Sequence, residues 1–237
     1  MMPIVAFNLW GDYAHFRKYY TTTSPLTFSL PPRTALMGII GAICGLKKES
    51  YLAALAHESI GVAVSLINPV AKVRIAENLI NTKIAPLMAR IPSQSGHIQV
   101  RFELLKNPCY RVYVSLKDAA LQSTLKEMLA AHRCVYTPYL GISELIANFC
   151  FIGEYEAEAI TPDDYVNIRS AVNSDAIRDL SIEEGKEYFS EVVPCDMADD
   201  RVVTRFSKIV YERTAQPIRA MVTECLDIGT GEYLAFL

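Results

Sequence analysis

Apolar and polar positions change period several times along the chain, and each change marks an element. Residues 4–10 (IVAFNLW) are β-branched and aromatic with partial alternation, and Gly11-Asp12 closes them, which predicts a strand ending in a turn. Residues 12–32 mix polar, aromatic and β-branched side chains and end in Pro31-Pro32, which stops any helix, so an extended connection is expected. The following run ALMGIIGAICGL carries Gly38, Gly41 and Gly45 at spacings of three and four. That spacing predicts a helix whose glycine face lets a neighbouring strand approach closely.

Residues 60–67 read as a strand, and 70–81 as another or its continuation. From 82 to 97 two prolines and a glycine break every period, which suggests a long hairpin or projecting loop between strands. Residues 98–105 alternate, Asn107-Pro108 interrupts, and CYRVYVSL alternates again. Residues 118–131 predict a helix with Asp118 as N-cap and Leu121, Leu125, Met128 and Leu129 on one face. A turn-rich stretch with Pro138 and Gly141 leads to a strand at 148–157. The order β, α, β, excursion, β, α, β predicts an α+β, ferredoxin-like domain over residues 1–158. RNA-recognition modules use this fold, with a sheet face that stacks bases. The fold also hosts many unrelated functions, so function must be argued from residues. Residues 159–237 are expected to form an acidic, β-rich C-terminal extension, with strands near 201–212 and 218–228.

At 237 residues and 51% hydrophobic, the chain can bury one large core or two modest ones. No stretch approaches a membrane span, and the N-terminus lacks the basic region of a signal peptide, so a cytoplasmic protein with no membrane partner is expected. The six cysteines show no metal-ligand spacing, so buried free thiols and no metal or cofactor are expected.

The net charge of −3 hides a division. Residues 1–153 hold 15 Lys and Arg against 8 Asp and Glu, a net +7; residues 154–237 hold 8 against 18, a net −10. The basic part offers a field for phosphates, or the charges simply cluster on solvated faces. Between Tyr13 and Lys48 there is no acid at all.

Within that acid-free stretch, His15, Arg17 and Lys18 stand beside Phe16, Tyr19 and Tyr20. Cations neutralise phosphate and aromatic faces accept unstacked bases, a mixture suited to single-stranded RNA. An aromatic loop packed on the domain with two surface bases reads equally well. The projecting segment adds Lys83, Arg90, Gln94, His97, Gln99 and Arg101, followed by Asn107 and Arg111. These bases and amides suit a hairpin that reaches around a strand of nucleic acid, or else a solvated loop. For catalysis the inventory is thin. His15, His57, His97 and His132 have no evident partner in sequence, and no phosphoryl-transfer or metal-hydrolase motif is present.

The opening FNLWGDYAHFRKYYTTTSPLTFSLPPRTALMGIIGAICGL resembles the N-terminal signature of the CRISPR-associated family numbered five, of the RAMP superfamily, particularly its type I-B branch. Residues 99–113 (QVRFELLKNPCYRVY) and 137–147 (TPYLGISELIA) are similar to later blocks of that family. The resemblance implies one ferredoxin-like domain with a thumb-like hairpin at about 77–101, sitting at the foot of the Cascade complex. It implies that the chain holds the crRNA 5′ handle and touches the large subunit and the adjacent backbone subunit. Target DNA is then met only through the complex, since base pairing of the guide reads it. Arg33 and Thr34, in the Pro-Pro-Arg-Thr of that signature, join the RNA-binding candidates. One branch of the family matures the guide with Tyr, Lys and His. No such triad can be placed here, and the type I-B resemblance implies a separate processing enzyme, so a non-catalytic subunit is expected, with a metal-independent repeat endoribonuclease as the alternative.

Overall fold

The computed structural model describes residues 1–81 and 97–237. In chain order the first part runs β1 (Met2–Trp10), three short strands β2 (Tyr13–Ala14), β3 (Phe16–Arg17) and β4 (Thr27–Phe28), helix α1 (Arg33–Cys44) and the single turn α2 (Tyr51–Ala54). It continues with β5 (Ile60–Leu66), β6 (Lys72–Ile80), β7 (His97–Lys106), β8 (Cys109–Leu116), helix α3 (Ala119–Ala130) and β9 (Asn148–Ile160). The rest is β-rich: β10 (Val166–Ile168), β11 (Val172–Asn173), β12 (Ile177–Leu180), β13 (Tyr188–Met197), β14 (Val203–Glu212), β15 (Ile218–Val222), β16 (Cys225–Asp227) and β17 (Tyr233–Leu234). Among the described residues no helix is long and apolar enough to cross a membrane.

β1 is apolar on both sides, with Val5, Phe7 and Leu9 in one core cluster and Ile4 and Ala6 in another. A strand buried on both faces belongs in the middle of a sheet. β1 accordingly lies between β9 and β8, antiparallel to both, and β5 pairs outside β8. Helices α1 and α3 bury Leu36, Ile40, Leu125 and Leu129 in the Phe7 cluster. Asp118 caps α3 as expected, accepting from the amides of Ala120 and Leu121 at 2.9 and 3.2 Å.

The opposite face of these strands is closed as well. Ile4, Ala6 and Tyr113 pack against Leu226, Ile228 and Leu234 from the end of the chain. This part of the sheet is therefore closed to stacking bases, unlike the sheet face that RNA-recognition modules use. The boundary expected near 158 falls inside β9, whose residues 148–157 pair with β1 and whose residues 158–160 pair with β16. One nine-stranded sheet runs across it in the order β12, β15, β10, β17, β16, β9, β1, β8, β5. Val193, Ile209 and Tyr211 of β13 and β14 share the Phe7 core.

The glycines of α1 do something other than admit a strand. A Cβ at Gly41 would stand 3.3 Å from that of Tyr51, so α2 is the close neighbour, while Gly38 faces open space. Gly45 ends the helix in the left-handed conformation, φ 77°, as a C-cap glycine does. All six cysteines are free thiols; Cys195 and Cys225 are buried as expected, but Cys134 and Cys150 are exposed.

Candidate nucleic-acid interface

The segment after β1 is stitched down by a side-to-side alternation that composition does not reveal. His15 is 1% exposed; its Nδ1 donates to the Glu103 carbonyl at 2.8 Å, and its ring meets Phe102 edge-on at 5.4 Å. Burial holds its pKa below the usual imidazole value, partly opposed by the hydrogen bond to Glu103. Phe16 is buried in the main core against Tyr110, with its amide donating to Thr27 Oγ1 at 2.9 Å. Neither side chain reaches solvent, so neither meets RNA directly. Their work is to dock this segment on the base of the β6–β7 hairpin and on the core.

Arg17, Tyr19 and Tyr20 do face outward. Tyr19 packs on Tyr20 at 5.1 Å and on Phe206 of β14 at 4.8 Å, forming a small exposed aromatic cluster. Arg17 donates to the Thr21 carbonyl at 2.9 Å and thereby closes the turn that presents the two tyrosines. Lys18 is half-buried and ion-paired to Glu191 at 2.8 Å. Burial pulls its pKa down, but the bond and charge of Glu191 outweigh this and leave it raised.

Arg33 departs furthest from expectation. It is 1% exposed, donating to the carbonyls of Cys195 and Ile60, both at 3.2 Å, with Asp196 at 3.6 Å. It ties α1 to β5 and β13 and is closed to a phosphate. Thr34, beside it, is also buried.

The hairpin brings the remaining candidates together. Direct cross-strand partners share a face, and the register pairs Arg74 with Glu103, Ala76 with Arg101, Asn78 with Gln99 and Ile80 with His97. His97, Gln99 and Arg101, two residues apart on β7, therefore line one exposed face together with Arg74 and Asn78 of β6. The other face carries Val73, Ile75, Val100, Phe102 and Leu104. Glu103 fixes the base of the polar face: it accepts from the Thr27 amide and from Lys72, both at 3.3 Å, and lies 4.0 Å from Arg74. Sequence reading passed over Arg74 and Asn78, although the strand register of 70–81 was the signal that places them. It also passed over Phe206, which nothing local links to Tyr19.

Lys83, Arg90 and Gln94 lie outside the described residues. Asn107 is exposed but serves a turn: it sits at φ 49°, its amide donating to Asp12 and its carbonyl accepting from Asn68. Arg111 is half-buried on β8, with Nε donating to Asn8 Oδ1 at 3.1 Å. Among the described residues no group of three His, Cys, Asp or Glu is arranged to hold a metal ion.

What is gathered is a hairpin face of two guanidiniums, two amides and an imidazole, anchored at its base to a segment that presents Arg17, Tyr19 and Tyr20. Such a set can neutralise phosphates, hydrogen-bond base edges and stack an unpaired base. The chain is similar in fold to a CRISPR protein from Archaeoglobus fulgidus, at 13% identity and a TM-score of 0.56 over 98% of this chain and 97% of that one. It is also similar to a chain of a CRISPR RNA-guided surveillance complex, at 13% identity and a TM-score of 0.54 over 92% of each. No curated protein matches the sequence. The family model described as CRISPR-associated protein (Cas_Cas5) matches residues 4–210, nearly the whole chain, and the protein thus belongs to the CRISPR-associated Cas5 family.

Proposed function

We propose that this Cas5-family protein is a non-catalytic RNA-binding subunit of a CRISPR effector complex of type I, resembling type I-B, in which it holds the 5′ handle of the crRNA. The observation that carries the reading is the polar face of the hairpin, where register aligns Arg74, Arg101, Asn78, Gln99 and His97 on one side of two strands. The β1-α1-β5-β8-α3-β9 order, with strands arranged β9-β1-β8-β5, supports reading the domain as ferredoxin-like, with the β6–β7 pair inserted between β5 and β8 as its thumb. A fold neighbour from a CRISPR RNA-guided surveillance complex supports a place in such an assembly. In this reading the large subunit and the adjacent backbone subunit are its protein neighbours, the complex works in the cytoplasm in antiviral defence, and target DNA is read by the guide.

Non-catalysis is supported by how the histidines are engaged. His15 is inside, His57 meets Arg205, and His132 lies against the Phe149 ring at 4.9 Å. His97 alone stands on the polar hairpin face.

The test is ultraviolet crosslinking of the assembled complex carrying thio-substituted crRNA. The 5′-handle nucleotides are expected to crosslink to peptides holding residues 97–101 and 19–20; crosslinks confined to other subunits would refute the reading. Purified protein incubated with repeat RNA and EDTA is expected to leave it intact. Site-specific cleavage lost in His97→Ala would establish the endoribonuclease instead.

A further inference from the structure

Helix α1 keeps one side uncovered, and that side is the floor of a groove of about 860 Å³. The size is that of sites which take small organic ligands or single nucleotides. Its floor includes Gly38, where a Cβ would meet nothing within 4 Å. One wall is the segment carrying Tyr136 and Tyr139, which are 52% and 47% exposed. That wall is held to the helix by main-chain bonds, the Tyr136 amide donating to the Ala42 carbonyl at 3.0 Å. Lys47, Lys48 and Arg201 border the groove against the single carboxylate of Glu49.

We infer that this groove is a second RNA subsite, taking one unpaired nucleotide with its base against Tyr136 or Tyr139 and its phosphate against Lys47, Lys48 and Arg201. The inference rests on the RNA-binding reading above and adds to it a site that shares no residue with the hairpin. The chemistry favours a nucleotide over a protein segment. Besides apolar side chains such as Ile39 and Leu46, the groove offers exposed tyrosine rings beside three cations, with a floor that lacks a side chain where a flat ring would lie, and that cationic rim complements a phosphate. Base–aromatic stacking and phosphate neutralisation are what such a combination supplies.

Gly38 suits the test, because Gly38→Leu fills the floor with a better helix former whose Cβ meets nothing within 4 Å. The full-length protein is titrated with fluorescein-labelled single-stranded RNA of the 5′-handle sequence, and its melting temperature is recorded alongside. Gly38→Leu is expected to weaken binding about tenfold, the loss of roughly one stacked base, with a melting temperature equal to or above that of the parent. The pair Lys47→Ala/Lys48→Ala is expected to weaken it comparably. If Arg74→Ala/Arg101→Ala weakens binding but neither groove variant does, the groove inference falls and the hairpin reading stands. RNA binding by none of the proteins overturns both. If Gly38→Leu keeps RNA but no longer joins its neighbouring subunit, the groove is a protein site and the inference is wrong.

Discussion

Replacing Arg74 and Arg101 by alanine tests the hairpin face through its salt dependence. Arg74 lies directly across from Glu103, so Arg101, two residues before Glu103 on β7, is its diagonal neighbour. Such neighbours stand about 7–8 Å apart, which lets the two guanidiniums meet successive phosphates of an extended strand. Each phosphate neutralised on a single strand contributes about 0.7 to the slope of log K against log salt. Removing both therefore flattens that slope by about 1.4, and between 50 and 200 mM salt the parent loses about sevenfold more affinity than the double variant. The two contributions are unequal. Arg74 shares Glu103 with Lys72, at 4.0 and 3.3 Å, so part of its charge is already met inside the protein. Arg101→Ala alone should account for most of the change. The assay is anisotropy of labelled 5′-handle RNA at several salt concentrations, with exposed Arg178→Ala on β12, an edge strand of the nine-stranded sheet, as control. Parallel lines for parent and double variant would refute the assignment of this face to phosphate binding, whatever the absolute affinities.

Arg33→Ala is expected to damage the fold rather than RNA affinity as such, because it strips the buried carbonyls of Cys195 and Ile60 of their donor. At about 1–3 kcal/mol for each unsatisfied group, urea denaturation should show a loss of about 2–6 kcal/mol, whereas Arg17→Ala on the surface should leave the melting temperature nearly unchanged; equal melting of the two variants would refute the burial argument. His15 gives a pH dependence: its folded pKa lies below that of the unfolded chain, about 6.5. The unfolded state therefore binds more protons in the window just below that value, so the contribution is complete above it and is lost as pH falls. Melting temperatures from pH 7.5 down to 5.5 should fall less steeply in His15→Asn, and unchanged steepness would count against it. Thiol labelling at pH 8 should modify Cys134 and Cys150 first, since they are exposed, and Cys44 and Cys225 slowly, since burial pushes both up to about 11; mass spectrometry of the peptides reads the order.

Elements with a strong local pattern were legible in the sequence. β1 and β8 are apolar enough to feed cores on both faces of the sheet, α3 presents a periodic apolar face to one of them, and Asp118 announced the start of α3 through a local hydrogen bond. The cluster at 14–20 was legible in composition but not in orientation. Whether His15 or Arg17 faces inward depends on the carbonyl of Glu103, 88 residues away, and on Thr27 across a two-residue ladder. Arg33 failed for the same reason: its partners lie on β5 and at Cys195, and no local pattern distinguishes a buried guanidinium from an exposed one. The covered sheet face was invisible because the covering residues, Leu226 to Leu234, belong to a segment whose own strands are too short to show a period. The hairpin face came through better, since alternation from His97 to Arg101 places three candidates on one side whatever β6 does.

The charge division along the chain acquires a different meaning once the fold is known. Lys18–Glu191, Arg33–Asp196 and Lys126–Glu154 each join a base of the first 153 residues to an acid of the remainder. Part of the asymmetry is thus internal, matching the surfaces where β13 and β9 meet the earlier elements, and those bases are lost to an RNA partner. Among the described residues the bases that remain outward include Arg17, Arg74 and Arg101 by the hairpin and Lys47 and Lys48 by the groove, with Lys106, Lys117 and Arg133 scattered elsewhere on the surface. A strand of RNA responds to this local field, within a screening length of about 8–10 Å, and not to the sum over the molecule. An acidic total of −3 is therefore compatible with gripping a polyanion, because Glu103 at the hairpin base is already met by Lys72 and Arg74 and the groove sets three cations against the one carboxylate of Glu49.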